Sequence, residues 1–131
     1  MSGSLDTNIV LRLLVNDIEH QYKLAKELVE NASIPLVVSD FVFVEIEYAL
    51  SSHYMLTRSQ IARILSEFTS HPKISCNRRL FSSVLAEYVS TPALSFTDLC
   101  LSFYVDQNNQ KPLWTFDKKL AIQSGFAKLL A

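Results

Sequence analysis

The fold of this chain is organised around one helix start, residues 94–101: Leu94-Ser95-Phe96-Thr97-Asp98-Leu99-Cys100-Leu101. The stretch follows a Thr91-Pro92 break. Ser95, with an acid three residues later, forms a capping box that predicts a helix from Ser95 to about Asp106. Asp98 therefore has a structural role as a cap at the positive end of the helix dipole. It also stands next to apolar residues, which makes it a candidate functional carboxylate.

Three further acids adjoin apolar runs, and these are Asp6, Glu45 and Asp117. Asp6 follows the end of a predicted strand and Asp117 follows another, so each also suits a helix cap. The helical neighbours of Glu45 are largely apolar, and we expect it to be buried and paired, protonated or metal-bound, since burying a bare carboxylate costs several kcal/mol. Glu47 competes with it, but its mixed surroundings predict a more exposed side chain.

Hydrophobic periodicity predicts strands that alternate with amphipathic helices. We expect strands ending near Leu5 and within 34–38, 72–76, 113–116 and 126–130. We expect helices over about 8–15, 16–31, 39–54, 57–68, 77–88, 95–106 and 118–123, with Asn16 capping the second. The strand at 34–38 is β-branched and apolar, which is typical of burial on both faces.

This alternation indicates an α/β fold with a central, mostly parallel sheet. In such sheets the functional crevice lies beyond the carboxyl ends of the strands, where we expect Asp6 and Asp117.

Length and composition favour one globular domain over residues 5–131. The chain has 131 residues, of which 49% are hydrophobic, enough for a real core. Residues 1–4, Met-Ser-Gly-Ser, are expected to be a disordered or vector-derived extension. The two cysteines are too few for a disulfide framework, and neither a signal peptide nor a membrane span is visible. The expected location is the cytoplasm.

The net charge of −1 excludes a global basic field of the kind that many nucleic-acid binders carry. A nucleic-acid partner therefore needs a local patch. Arg12, Lys118 and Lys119 flank the candidate acids in sequence, and they are candidate phosphate contacts. Solvation at the surface explains them equally well.

The four acids, if gathered, predict a divalent metal. They would repel one another strongly without a cation among them. Oxygen ligands without His or Cys suit Mg²⁺ or Mn²⁺. The three histidines are scattered in polar segments, so neither a zinc site nor a nucleophilic triad is indicated.

Four segments carrying these acids resemble the PIN-domain family, specifically the VapC-like toxin branch of type II toxin–antitoxin systems. Their order and separations match along nearly the whole chain. The segments are Leu5-Asp6-Thr7-Asn8-Ile9-Val10-Leu11-Arg12, Val44-Glu45-Ile46-Glu47-Tyr48-Ala49-Leu50, Ser95-Phe96-Thr97-Asp98-Leu99 and Thr115-Phe116-Asp117-Lys118-Lys119-Leu120.

The resemblance implies a PIN-like three-layer α/β/α fold and a metal-dependent endoribonuclease. It implies that Mg²⁺ or Mn²⁺ binds at Asp6, Glu45, Asp98 and Asp117, and that Thr115, a small polar residue, helps to shape the site. It also implies an RNA substrate, a homodimer and a cognate antitoxin that holds the enzyme inactive.

The chain departs from the family pattern at two places. Only Leu5 remains of the apolar residues that usually precede the first aspartate, so the first strand is short. Glu47 occupies a position that is often apolar, which leaves open whether it competes with Glu45.

The expected reaction is hydrolysis of an RNA phosphodiester, with one or two metal ions activating water and neutralising charge on the phosphorane. Asp98 or Asp117 orients the water, directly or through the metal. One alternative is a non-catalytic PIN-like module that binds RNA or protein. Another is a receiver-type phospho-acceptor domain, which is disfavoured because the middle acid, Glu45, is helical. An aspartyl phosphotransferase of the haloacid-dehalogenase kind is disfavoured because it needs a second Asp two residues after the first, and position 8 is Asn.

Overall fold

The computed structural model describes residues 3–130, and it confirms the expected α/β class. The chain divides into two compact units, an N-terminal unit up to Asn77 and a C-terminal unit from Arg78. Each unit contains a two-stranded sheet, and the strands of both sheets pair in parallel as the alternation predicts. None of the helices in the described residues has the length and apolarity to cross a membrane.

The N-terminal unit contains four helices and two short strands. In chain order they are α1 (Thr7–Val15), α2 (Glu19–Glu30), β1 (Leu36–Val37), α3 (Asp40–Ser52), α4 (Arg58–Thr69) and β2 (Ile74–Ser75). Ser39 caps α3, and Thr57 and Gln60 form a complete capping box on α4, as the sequence predicts. The centre of the core is formed by apolar side chains on α1, α3 and α4 that are fully buried: Val10, Phe43, Ile46, Leu50, Ile61 and Leu65.

The first extended segment begins earlier than Leu5. Ser4 forms a parallel bridge with Val37. The Val37 N–H donates to the Gly3 carbonyl at 2.9 Å, and the Leu5 N–H donates to the Val37 carbonyl at 2.8 Å. Gly3 and Ser4, assigned by sequence to the N-terminal extension, are therefore held by backbone hydrogen bonds. The expectation for Met1 and Ser2 lies outside the described residues.

The strand predicted within 34–38 is shorter than expected, and the prediction that it is buried on both faces is wrong. Leu36 and Val38 are buried, whereas Val37 is 44% exposed. Successive side chains of a strand point to opposite faces, so one face of this segment lies in the core and the other does not. β-branched composition alone does not distinguish the two situations.

The predicted cap at Asn16 is also wrong. Asn16 is the C-cap of α1 in the left-handed conformation (φ 54°), and its N–H donates to the Arg12 carbonyl. Asparagine tolerates this conformation better than most residues, which explains its place at a helix end. The next helix begins at Glu19 after Ile18, without a side-chain cap.

The C-terminal unit contains α5 (Arg78–Tyr88), α6 (Phe96–Gln107), β3 (Leu113–Thr115), α7 (Lys118–Gln123) and β4 (Ala127–Leu129). The predicted apolar stripe of α5 is buried along its whole length: Leu80, Phe81, Val84, Leu85 and Tyr88. The predicted C-terminal strand is present, and β4 pairs with β3 in the register Trp114 opposite Lys128.

An aromatic cluster joins α5 to the first turn of α6. The Phe96 ring lies parallel to Phe81 with centroids 6.2 Å apart, and it meets Tyr88 edge-on at 5.4 Å. All three side chains are buried. Aromatic pairs in such arrangements stabilise a fold by more than the burial of their surface area alone contributes. The cluster therefore fixes where α6 begins, two residues before Asp98.

A polar network ties the two ends of the α1–α2 turn to the segment after α3. The Arg12 guanidinium donates to Gln21 (Nε to Oε1, 2.7 Å), to Asp17 (3.2 Å) and to the Tyr54 hydroxyl (3.3 Å). Tyr54 in turn donates to the second oxygen of Asp17 at 2.9 Å. The Tyr54 hydrogen bond, helped by the charge of Arg12, lowers the pKa of Asp17 below the ordinary aspartate value.

We expect the Asp17→Asn variant to show a flatter acid-unfolding profile than the parent chain. A carboxyl with a lowered folded-state pKa stabilises the fold above its unfolded pKa of about 3.9, and this stabilisation is lost as the pH falls through the lower folded value. The measurement is the urea midpoint, followed by circular dichroism, from about pH 7 down to about pH 3. Glu19→Gln, which removes an exposed acid of α2, is the control. An identical pH dependence in Asp17→Asn and the parent chain would contradict the assignment.

Candidate functional site

Asp6 is the N-cap of α1. Its Oδ1 accepts a hydrogen bond from the Ile9 N–H at 3.0 Å, and the side chain is exposed. An oxygen in this position satisfies one of the unpaired amides of the first helical turn. The cap therefore fixes the direction of the carboxylate.

Glu45 is joined to the start of α1 by a hydrogen bond from Thr7, the first residue of that helix. The Thr7 hydroxyl donates to Glu45 Oε1 at 3.2 Å, and α1 packs against α3. This bond brings the helix start that carries Asp6 together with the middle of α3. Sequence reasoning did not single out Thr7, although a hydroxyl directly after a capping aspartate is a usable signal for such a contact.

The predicted burial of Glu45 and exposure of Glu47 is wrong. Glu45 is exposed and Glu47 is half-buried. The apolar neighbours of Glu45 do not form a core face, because Phe41 is 84% and Tyr48 70% exposed. Glu47 instead lies one turn from Phe43 and Leu50, which are fully buried. The apolar residues near Glu45 in sequence therefore led to a wrong prediction of which side of α3 is buried.

Asp98 belongs to a complete capping box, as its sequence predicts. The Ser95 hydroxyl accepts from the Asp98 N–H at 3.0 Å, and Asp98 Oδ2 accepts from the Ser95 N–H at 3.4 Å. The side chain is half-buried. Phe96 and Leu99 on either side of it are buried and anchor this first turn of α6.

Asp117 is the N-cap of the short helix α7. Its Oδ1 accepts from the N–H groups of Lys119 (2.9 Å) and Leu120 (3.2 Å), while its own N–H donates to Thr115 Oγ1 at 3.0 Å. Thr115 therefore fixes the turn between β3 and α7. The side chains of Asp117, Lys118 and Lys119 are all exposed.

Arg12, which the sequence offers as a phosphate contact, is engaged inside the N-terminal unit. Its side chain is only 18% exposed and bonds to Gln21, Asp17 and Tyr54. A guanidinium with these partners braces α1, the helix whose first turn carries Asp6. Lys118 and Lys119 form no ion pair with any residue from 3 to 130.

The carboxylates share one feature that bears on metal binding. Each uses one oxygen in a hydrogen bond, and its other oxygen has no partner within residues 3–130; these oxygens are Asp6 Oδ2, Glu45 Oε2, Asp98 Oδ1 and Asp117 Oδ2. Carboxylate oxygen is the donor that Mg²⁺ and Mn²⁺ prefer. The donor chemistry therefore fits such an ion.

Hydrogen bonds connect these site residues in two places within the described residues. Thr7, which follows Asp6 in sequence, donates to Glu45, and the Asp117 N–H donates to Thr115. Over residues 3–130 there is no assembled group of three or more acidic, His or Cys side chains. A joint metal site for all four carboxylates stays a prediction.

Comparison with protein families gives one match. The model of the PIN domain matches residues 4–124, which is nearly the whole chain and includes all four acids. No curated protein matches the chain.

We expect Ser95→Ala to lower the free energy of unfolding by about 1 kcal/mol, because the first turn of α6 loses its capping oxygen. The measurement is the urea midpoint, with an unchanged slope. Ser95→Asp restores an acceptor and should recover most of the loss. The control is Ser82→Ala on the exposed side of α5, where stability stays the same or rises slightly. Equal midpoints for Ser95→Ala and the parent chain would contradict the role of the cap.

Proposed function

Because the chain belongs to the PIN-domain family, we propose that it is a metal-dependent endoribonuclease, the toxin of a type II toxin–antitoxin pair. Membership of the PIN-domain family supports a nuclease-type fold. The observation that supports the chemistry is the state of the four acids, each anchored through one oxygen with the other left without a partner in the described residues. Residues 5–131 then act as one domain.

In this proposal Asp6, Glu45, Asp98 and Asp117 hold Mg²⁺ or Mn²⁺. When bound, the ion supplies a Lewis acid that activates water and neutralises charge on the phosphate. The protein contributes preorganisation, because an anchored carboxylate does not have to be ordered when the substrate binds. Glu45 is favoured over Glu47 because Thr7 ties it to the helix start that carries Asp6.

The remaining site residues position groups and contact the substrate. Thr115 holds the Asp117 N–H and so fixes the turn on which that carboxylate sits. Asp98 or Asp117 orients the attacking water. In this proposal the exposed Lys118 and Lys119 contact phosphates of the RNA. Arg12, which hydrogen-bonds to Gln21 and Tyr54, positions α1.

The remaining elements of the proposal come from the resemblance to the toxin branch. They are a cytoplasmic location, a homodimer and a cognate antitoxin. The second candidate function is a non-catalytic PIN-like module that binds RNA or protein. The observation that favours it is a pair of exposed aromatic side chains, Phe41 and Tyr48, which lie one helical turn on either side of Glu45. Exposed apolar side chains of this size suit coverage by a partner.

We expect Asp98→Asn to lower the rate of RNA cleavage by at least about 100-fold, since even outer-shell partners of a metal typically contribute 10–100-fold. The substrate is structured RNA with Mn²⁺ or Mg²⁺, and EDTA should abolish cleavage by the parent chain. Asp106→Asn removes an acid from the last turn of the same helix, where it pairs with Lys111 at 3.0 Å, and it serves as the control. Cleavage that persists in Asp98→Asn at the parent rate would refute the proposed chemistry.

A further inference from the structure

One face of the β3–β4 sheet carries large side chains that the fold does not bury. Trp114 lies on β3 and is 55% exposed, and Phe116 follows directly after β3 and is 78% exposed. Phe116 lies in the bend between β3 and α7, next in sequence to the last residue of the strand. Lys128 on β4 is the register partner of Trp114, and its Nζ lies 5.7 Å from the ring centroid. We call these three residues the aromatic face.

The surroundings of the aromatic face are basic, in contrast to the chain as a whole. Residues 107–131 contain four lysines and a single acid, Asp117, although the whole chain has a net charge of −1. Lys111 is occupied by Asp106. Lys118, Lys119 and Lys128 are exposed and form no ion pair with residues 3–130.

We propose that the aromatic face binds unpaired bases of RNA. Exposed rings next to exposed lysines are the combination with which proteins hold single strands, because bases stack on the rings and phosphates contact the cations. A base inside a duplex has both faces covered by its neighbours and does not stack on Trp114 or Phe116. The face therefore selects single-stranded RNA over duplex RNA.

The same strand connects this surface to the candidate active site. Phe116 directly precedes Asp117, and Thr115, the residue between Trp114 and Phe116 in sequence, accepts a hydrogen bond from the Asp117 N–H through its hydroxyl. RNA stacked on the aromatic face is therefore held at the junction of β3 and α7. That the bound RNA is also the substrate rests on the proposed function; that the face binds unpaired bases does not.

The charge of the surface favours RNA over a second copy of this chain that presents the same face. A second copy of this chain would bring an identical basic segment against Lys118, Lys119 and Lys128, and like charges repel. A single strand of RNA brings one negative phosphate per nucleotide to the same lysines. Charge complementarity thus favours RNA.

Tryptophan fluorescence tests the proposal directly, because Trp114 is the only tryptophan in the chain. The full chain is titrated with a 12-nucleotide oligouridine in EDTA, so that binding is measured without cleavage. We expect saturable quenching, and much weaker quenching by a blunt RNA duplex of equal length. Oligouridine that leaves the fluorescence unchanged, or equal quenching by the duplex, would overturn the proposal.

Variants assign the binding to individual side chains, with the affinity read from the anisotropy of labelled oligouridine. Phe116→Ala and Trp114→Ala should each weaken binding about 10-fold or more, since stacking on one aromatic ring contributes that much per base. Trp114→Phe keeps a ring and should retain most of the affinity. Met55→Ala removes an equally exposed apolar side chain outside both candidate surfaces and is the control. Equal losses in Met55→Ala and Phe116→Ala would count against the aromatic face.

Salt dependence tests the lysines. Lys128→Gln should reduce the slope of log affinity against log salt by about 0.7, the release expected for one phosphate contact on a single strand. Lys23→Gln on α2, where the lysine pairs with Glu19, should leave the slope unchanged. An unchanged slope in Lys128→Gln would remove this lysine from the proposal and contradict the charge argument.

The outcomes separate this proposal from the proposed nuclease. Cleavage of RNA without quenching of Trp114 keeps the nuclease and overturns the aromatic face. Quenching without any metal-dependent cleavage supports the aromatic face and refutes the nuclease. Self-association that disappears in Trp114→Ala and Phe116→Ala, with no quenching by oligouridine, overturns the proposal in favour of a second copy.

Discussion

The unpaired backbone amides of helix first turns hold three of the four candidate carboxylates. Asp6 caps α1, Asp98 closes the capping box of α6, and Asp117 caps α7. Those amides need acceptors whatever the protein does, because no carbonyl of the same helix reaches them. A carboxylate meets the need with one oxygen and keeps the other available. Structural and catalytic roles of these acids are therefore compatible, and the cap supplies the fixed geometry that a metal ligand requires.

Packing decides where each of these helix starts lies within its unit. Phe96, held between Phe81 and Tyr88, sets the first turn of α6. Arg12 braces α1 against the α1–α2 turn and Tyr54, and the Thr7 hydroxyl reaches Glu45 on α3. These contacts involve residues that play no chemical part in the proposed reaction. Buried aromatic contacts and charge-assisted hydrogen bonds are strong enough to hold such positions.

Sequence reasoning succeeded where the determining interactions are local and failed where they are not. The capping boxes at Thr57 and Ser95 and the buried stripe of α5 appear in the structure as predicted. Asn16 was misassigned because asparagine suits both helix starts and left-handed helix ends. The burial predicted for Glu45 and Val37 is wrong because an apolar neighbour in sequence does not establish that a side chain is buried.

The sequence by itself determined the helices and most of their caps, the α/β class, the family and the oxygen-donor chemistry of the four acids. These features depend on hydrogen bonds that span three or four residues and on periodicity, both of which are written in the order of the residues. Tertiary structure decided which side of α3 is exposed, that Thr7 reaches Glu45, 38 residues away, and that Arg12 reaches Tyr54, 42 residues away. It also decided that Trp114 and Phe116 stay on the surface. Contacts over such separations arise only once helices and strands pack, because packing chooses which apolar side chains are covered.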